Sequence, residues 1–226
     1  MQLTTTPAPA YRNYWARKQL LEDRPPCFPV LRYWRSSGLS QVEQVYYNAV
    51  HQAGRLLDYG AGDLTVMRKL RQAGYAGEYH TLDIGDEYAY TYSDLSQVTE
   101  TYDAILCLDV IEHLSLQDGL TLLSRLAGLL SPGGRLVLQT PNARCVRQPL
   151  AWDMTHLHCY NLGDLWAYLE CLELDCCGYR VIFRESRTSW WEKLRFVLCA
   201  FVVTRICGSD YADNIALIGE RRVGLS

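Results

Sequence analysis

The chain has nine cysteines but no Cys-x-x-Cys pair, and some of them, such as Cys107 and Cys199, sit in apolar runs. That spacing argues against a disulfide framework. Long hydrophobic runs are missing as well. The longest uncharged apolar stretch, Phe196 to Thr204, is too short to cross about 30 Å of hydrocarbon as a helix. No charged-then-apolar leader opens the sequence, so the expectation is a reduced, cytoplasmic protein. Neither an internal repeat nor a low-complexity tract is found. Charge of one sign is not in excess: 22 Lys and Arg face 25 Asp and Glu over 226 residues, a net charge of −3. The whole chain therefore offers little to a polyanionic partner. Its charge is uneven, however. Residues 1–38 hold six basic residues against Glu22 and Asp23, while the rest holds 16 against 23, so a basic arm precedes an acidic body. With 49% hydrophobic and 21% charged residues, the composition supports a buried core and excludes disorder, collagen and coiled coil.

In the arm, Pro7, Pro9, Pro25, Pro26 and Pro29 alternate with Tyr11, Tyr14, Trp15, Tyr33 and Trp34. This mixture argues against long helices and for a lead-in segment, 1–38, clamped onto a domain spanning 39–226. From Ser40 the pattern turns regular. Ser40 with Glu43 three residues on marks a helix start, running to about Ala53, and Arg55 to Tyr59 is a short apolar strand stopped by Gly60. Further helices are expected over Leu64–Gln72, Leu116–Leu130, Asn161–Glu173 and Trp190–Ile206. Strands are expected over Tyr79–Ile84, Tyr88–Tyr92 (weaker), Tyr102–Asp109, Arg135–Thr140, Tyr179–Arg184 and Asn214–Glu220. Strand and helix alternate, which predicts an α/β fold with a mostly parallel sheet.

Leu57-Asp-Tyr-Gly-Ala-Gly-Asp-Leu64 is the most informative stretch, because a strand ending in Gly-x-Gly and turning into a helix lets a ligand approach bare backbone at the sheet's carboxyl edge. A nicotinamide dinucleotide is disfavoured. It would call for a third glycine where Thr65 stands and for no carboxylate where Asp63 follows the second glycine. Asp83 closes the next strand about two dozen residues on, where a carboxylate can take both hydroxyls of a ribose. Asp94-Leu95, Leu108-Asp-Val-Ile-Glu-His-Leu114 and Pro132-Gly-Gly134 follow in order.

From about Arg55 to Asn142 these motifs resemble the class I S-adenosylmethionine-dependent methyltransferases, including the small-molecule enzymes of ubiquinone biosynthesis and natural-product tailoring. Thr155-His-Leu-His-Cys-Tyr160 extends the resemblance more loosely. It implies a Rossmann-like, seven-stranded, mostly parallel sheet with helices on both faces and an antiparallel last strand. S-adenosylmethionine is the implied cofactor. Asp58 would accept from its amino group and the Gly60, Ala61 and Gly62 backbone would contact its methionine portion. Asp83 would take the ribose, Asp94 and the Leu95 amide the adenine, and Asp109 would border the crevice. Asp94 serves equally well as a helix cap. The acceptor is expected to be a small molecule, a sugar or a lipid-linked compound, methylated at oxygen.

Methyl transfer to a hydroxyl benefits from a base, and His113, His156 and His158 are the imidazoles near the crevice. His113 follows Glu112 in a motif shared by enzymes with different substrates, which suits pocket shaping. His156 and His158 alternate, so an extended loop would point both to one side, and His158 is preferred because Tyr160 shares that side. Asp109, Glu112, His113 and His158 also approximate the Glu-x-x-Glu-His plus distal His of metal-dependent RNA 3′-terminal 2′-O-methyltransferases. Asp109 stands where that pattern has Glu, and the body is acidic, so no metal and no nucleic acid are assigned. A non-catalytic binding protein on the same fold is a further alternative. The arm and an insertion at 186–208 would cover the pocket with aromatics that include Tyr14, Trp15, Trp34, Trp190 and Trp191. The apolar stretch 190–206, flanked by Lys193, Arg195 and Arg205, also fits a helix touching a membrane surface.

Overall fold

The computed structural model describes residues 9–11, 13–24, 26–33, 38–183, 191 and 198–224. Ser40 caps helix α2 (Gln41–Val50) through a capping box, its hydroxyl accepting from the Glu43 amide while Glu43 accepts from the Ser40 amide. Strand β2 (Arg55–Tyr59) follows, then α3 (Thr65–Gln72), β3 (Glu78–Leu82) and β4 (Tyr102–Leu108). Helix α4 (Leu116–Leu129) runs straight into β5 (Leu130–Pro141), so Pro132-Gly-Gly134 lies inside the strand's span instead of separating the two elements. Helix α5 (Leu162–Glu170), capped by Asn161, leads to β6 (Leu174–Phe183), and β7 (Asn214–Arg221) comes last.

These strands and β1 (Val30–Tyr33) form one sheet in the order β1-β6-β7-β5-β4-β2-β3, with β7 antiparallel to both neighbours and every other pair parallel. Successive residues of a strand face opposite sides. Leu57, Ile105, Leu136 and Leu138 therefore meet α4 and α5, while Leu56, Ala104, Leu106 and Val137 meet α2 and α3. Both faces are covered, which is why β4 reads as an apolar run from Ala104 to Leu108.

Some local expectations need correction. Tyr88–Tyr92 forms no strand; Tyr92 makes a single bridge to Leu82 while Ile84 stands exposed in the intervening turn. The seventh strand comes instead from the arm, whose Val30–Tyr33 adds to the opposite edge beside β6. The arm also holds a helix, α1 (Tyr14–Asp23), because the interval between Pro9 and Pro25 leaves room for ten helical residues. Strand β6 begins before Gly178. A Cβ there would stand 2.6 Å from the Phe28 ring, so this glycine serves close packing and does not stop a strand. The expected helix 190–206 lies partly outside the described residues, and its end, Val202–Ile206, is a wide helical turn.

Candidate active site

Gly60 and Gly62 lie in the left-handed region at φ +78° and +47°, which sharply turns the chain at the end of β2. A Cβ on Gly60 would meet Val110 Cγ2 at 2.3 Å, whereas one on Gly62 would meet nothing within 4 Å. The first glycine lets the turn pack on the end of β4, and the second leaves its surroundings open. The amides of this turn are not bare. Gly60 N and Ala61 N donate to the Leu82 carbonyl and Gly62 N donates to Asp83 Oδ2 at 2.8 Å. Parallel pairing of β2 with β3 brings those acceptors beneath the turn.

The turn borders a cavity of about 330 Å³ lined by Asp58, Gly60, Ala61, Gly62 and Asp109, with Tyr33 and Phe183 among its walls. Asp58 is 2% exposed and accepts from the Tyr79 hydroxyl at 2.7 Å. Burial pushes its carboxyl up to about 6, against the Tyr79 bond, with the Asp83 charge adding a smaller push. Asp109 ends β4 at φ +54°, a conformation rare outside glycine, and two amides fix it: Gln139 Nε2 at 2.7 Å and Asn214 Nδ2 at 2.9 Å. Gln139 is itself held by the Tyr46 hydroxyl at 2.7 Å. Burial raises the Asp109 pKa, and the amide bond from Gln139 opposes the rise. Among the described residues, neither Asp58 nor Asp109 pairs with a lysine or arginine. Lys69, which also borders the cavity, is bound to Glu43 at 2.6 Å.

Asp83 supports this floor without lining it, its other oxygen accepting from Gly85 N at 3.0 Å. Asp94 is the exposed cap of a short helical turn, accepting from Ser96 N at 2.7 Å, and Leu95 packs into the core. The Tyr59 hydroxyl is pushed up by burial first and also by the fields of Asp94 and Asp83, so both carboxylates flank this end of β2.

The three histidines separate into two groups. The Glu112 carbonyl accepts from both Leu157 N and His158 N, at 2.7 and 3.1 Å, which pins the loop against the end of β4. His156 follows a turn closed on Asp153 and stacks edge-on against His113 at 5.0 Å. His158 instead packs on Tyr160 at 4.8 Å and lines a second cavity with Tyr14, Arg17 and Leu120. The turn breaks the extended geometry that period-two reasoning assumes. Glu112 is 1% exposed, accepts from Thr140 Oγ1 at 2.9 Å, and is pushed up to about 8 chiefly by burial, then by Asp109. A carboxylate oxygen of Glu112 and ring nitrogens of His113 and His156 lie within 4.8 Å of one another. The trio contains His156, where the sequence pattern suggested His158.

Sequence reasoning missed Gln139, Asn214, Tyr46 and the Lys69–Glu43 pair. Only Glu43 left a signal, as part of the capping box. The rest lie on separate strands and helices that only the sheet order brings together.

A family model described as a methyltransferase domain matches residues 34–194, and the chain belongs to that family. Solved structures share its fold at low identity. A SAM-dependent methyltransferase from Archaeoglobus fulgidus is 20% identical, with TM-score 0.62, over 80% of this chain and 93% of its own. An O-methyltransferase family protein from Burkholderia thailandensis is 14% identical, with TM-score 0.52, over 96% and 71%. Magnesium protoporphyrin IX methyltransferase from Synechocystis with bound SAM is 18% identical, with TM-score 0.50, over 80% and 78%. No curated protein sequence matches the chain.

Proposed function

We propose that the protein transfers the methyl group of S-adenosylmethionine to a hydroxyl of a small acceptor, sugars and lipid-linked molecules included. One observation carries the reading. Two carboxylates, the buried Asp58 and Asp109 at the end of β4, neither paired with a lysine or arginine among the described residues, line one cavity beside the open Cα of Gly62. Such a donor set suits a ligand carrying an ammonium and a sulfonium and opposes a pyrophosphate. When bound, S-adenosylmethionine supplies an activated methyl carbon and a neutral leaving group.

The chain's residues then bind and orient. Asp58 accepts from the amino group, Asp109 borders the donor end, and Asp83 takes ribose hydroxyls while holding the turn. Asp94 and the Leu95 amide are placed at the adenine end. Beyond Asp109, the Glu112, His113 and His156 group orients the acceptor hydroxyl and is where its proton departs. His158, in the second cavity, stands apart from that path. The arm and the stretch before β7 cover the pocket. Trp34 and Trp190 of that lid lie outside the described residues. Leu198, Phe201 and Ile206 are 58%, 60% and 71% exposed, an apolar surface that suits a lipid-linked acceptor. Among the described residues no helix is long and apolar enough to cross a membrane, and nine free cysteines suit a reducing cytoplasm.

Calorimetric titration with S-adenosylmethionine and with its demethylated product tests the cofactor site, with saturable heat expected from both. Absence of heat from either ligand with folded protein overturns the reading. A screen of phenol, sugar and lipid extracts for radiolabelled methyl uptake then identifies the acceptor.

A further inference from the structure

The three residues at the carboxyl end of β4 raise a question that orienting a hydroxyl does not settle. Glu112 is almost wholly buried, its carboxylate accepts from Thr140 Oγ1, and among the described residues no lysine or arginine pairs with it. A second carboxylate, Asp109, stands close enough to be felt at Glu112 and to feel both imidazoles. A cation bound beside them would offset the cost of ionising the buried Glu112.

The imidazoles are arranged as metal ligands usually are. His156 Nδ1 lies 2.9 Å from the Pro149 carbonyl, an acceptor only, so Nδ1 carries the proton and Nε2 keeps its lone pair. His113 Nδ1 lies 2.8 Å from Thr155 Oγ1, and Thr155 is anchored in turn by Asp153 Oδ1 at 2.7 Å, which leaves the second nitrogen of this ring open too. Outer partners of this kind fix the tautomer and the ring plane of metal-bound histidines. The backbone clamp of Leu157 N and His158 N on the Glu112 carbonyl holds the loop that carries His156 against Glu112.

We propose that Glu112, His113 and His156 form a binding site for one divalent first-row transition-metal cation. Two imidazoles and one carboxylate suit such ions and leave positions open for oxygen ligands. Donor atoms around an ion at about 2.1 Å stand roughly 3 Å apart, so the 4.8 Å spread has to close on binding, the exposed His113 turning inward together with Thr155. The site deepens the reading of methyl transfer to oxygen, because an acceptor hydroxyl would fill an open position. Its role rests on that reading, while the binding itself does not.

Cobalt(II) is the probe, added to the full-length reduced chain and followed by absorption. One equivalent is expected to bind with the weak visible bands of a nitrogen and oxygen site and without intense near-ultraviolet thiolate bands. His113→Ala and His156→Ala are expected to weaken binding at least tenfold, and Thr155→Val roughly 10–100-fold through the outer partner. His158→Ala should leave binding unchanged. Each variant is checked by circular dichroism, and His113, being exposed, can be replaced without disturbing the core. No cobalt uptake, thiolate bands, or uptake indifferent to both His113→Ala and His156→Ala overturns the site. Calorimetry with S-adenosylmethionine on the same samples reports separately on the cofactor pocket, so failure of either proposal is read independently.

Discussion

Asp58→Asn is expected to make the protein more stable and a poorer binder of its cofactor. Burial lifts the Asp58 carboxyl from its ordinary 3.8 to about 6. For an acid raised on folding, the native state binds more protons than the unfolded state between those values. Stability is therefore fully present below about pH 4 and falls as pH rises through 6, beyond which the loss is complete. At 1.36 kcal/mol per pH unit the loss is roughly 3 kcal/mol by pH 7. Asparagine carries no charge to bury, and its carbonyl can still accept from the Tyr79 hydroxyl. Imperfect partners for its amide reduce the gain, so about 1–3 kcal/mol is expected at pH 7, or roughly 2–10 °C in melting temperature for a chain of this size.

Urea melts of the native and Asp58→Asn proteins at pH 4.5 and 7.5 isolate this group, since other titrations cancel in the difference. The gap should be small at the lower pH and open in favour of the variant at the higher. The opposite holds for binding. Losing a charged acceptor for an ammonium costs roughly 1.5–3 kcal/mol, about ten- to 150-fold in affinity. Native affinity should also rise with pH up to about 6 and then level off, because the cation selects the ionised carboxylate. A variant less stable than the native protein at pH 7.5, or a stability gap indifferent to pH, would refute the reasoning.

Gly60→Ala should destabilise by about 1–3 kcal/mol and depress cofactor binding, from the Val110 clash and the strained φ together; adding Val110→Ala should restore part of the stability in the same melts. Gln139→Leu strips Asp109 of one donor and the Tyr46 hydroxyl of its acceptor, a loss of about 1–3 kcal/mol readable in urea. Asp83→Ala should weaken cofactor binding by roughly 1–3 kcal/mol in calorimetry, because the Gly62 amide and the ribose both lose an acceptor. Once an acceptor is known, His156→Ala should slow transfer about 10²–10⁴-fold at unchanged cofactor affinity, while His158→Ala should cost less than tenfold.

The central fold was readable because its signals are local. Arg55–Tyr59 and Tyr102–Leu108 are apolar runs bounded by Gly60 and Asp109, and their ends coincide with the observed strands to within a residue. Ser40 and Glu43 form the expected box, and Asn161 is the cap it resembled. The edges of the sheet were not readable. An edge strand needs few residues and little apolar content, so Val30–Tyr33, set among prolines, carries no more strand signal than Tyr88–Tyr92, which fails. What separates them is a partner: Val30–Tyr33 lies against β6 in register from Arg180 to Phe183, a relation over 150 residues of chain.

The site followed the same division. Gly60 and Gly62 were singled out because a strand end and turn mark themselves, Asp58 and Asp109 through the resemblance, and these residues line one cavity. The placement of the histidines was not legible, because alternation assigns sides only while the backbone stays extended. Asp153 breaks it here by accepting from Thr155 N, Thr155 Oγ1 and His156 N, folding the loop so that His156 returns to His113 while His158, two residues on, follows Tyr160 to the other cavity. Asp153→Ala should therefore loosen His113 as well as His156, although it touches neither imidazole by a hydrogen bond. It should slow transfer, as His156→Ala does, and leave cofactor affinity alone. Nitrogen-15 spectra of the histidine side chains give the direct check: the variant should lose the fixed tautomers at His113 and His156 and leave the His158 signals unchanged. Unchanged His113 and His156 signals would mean that the loop is held by the Glu112 carbonyl alone.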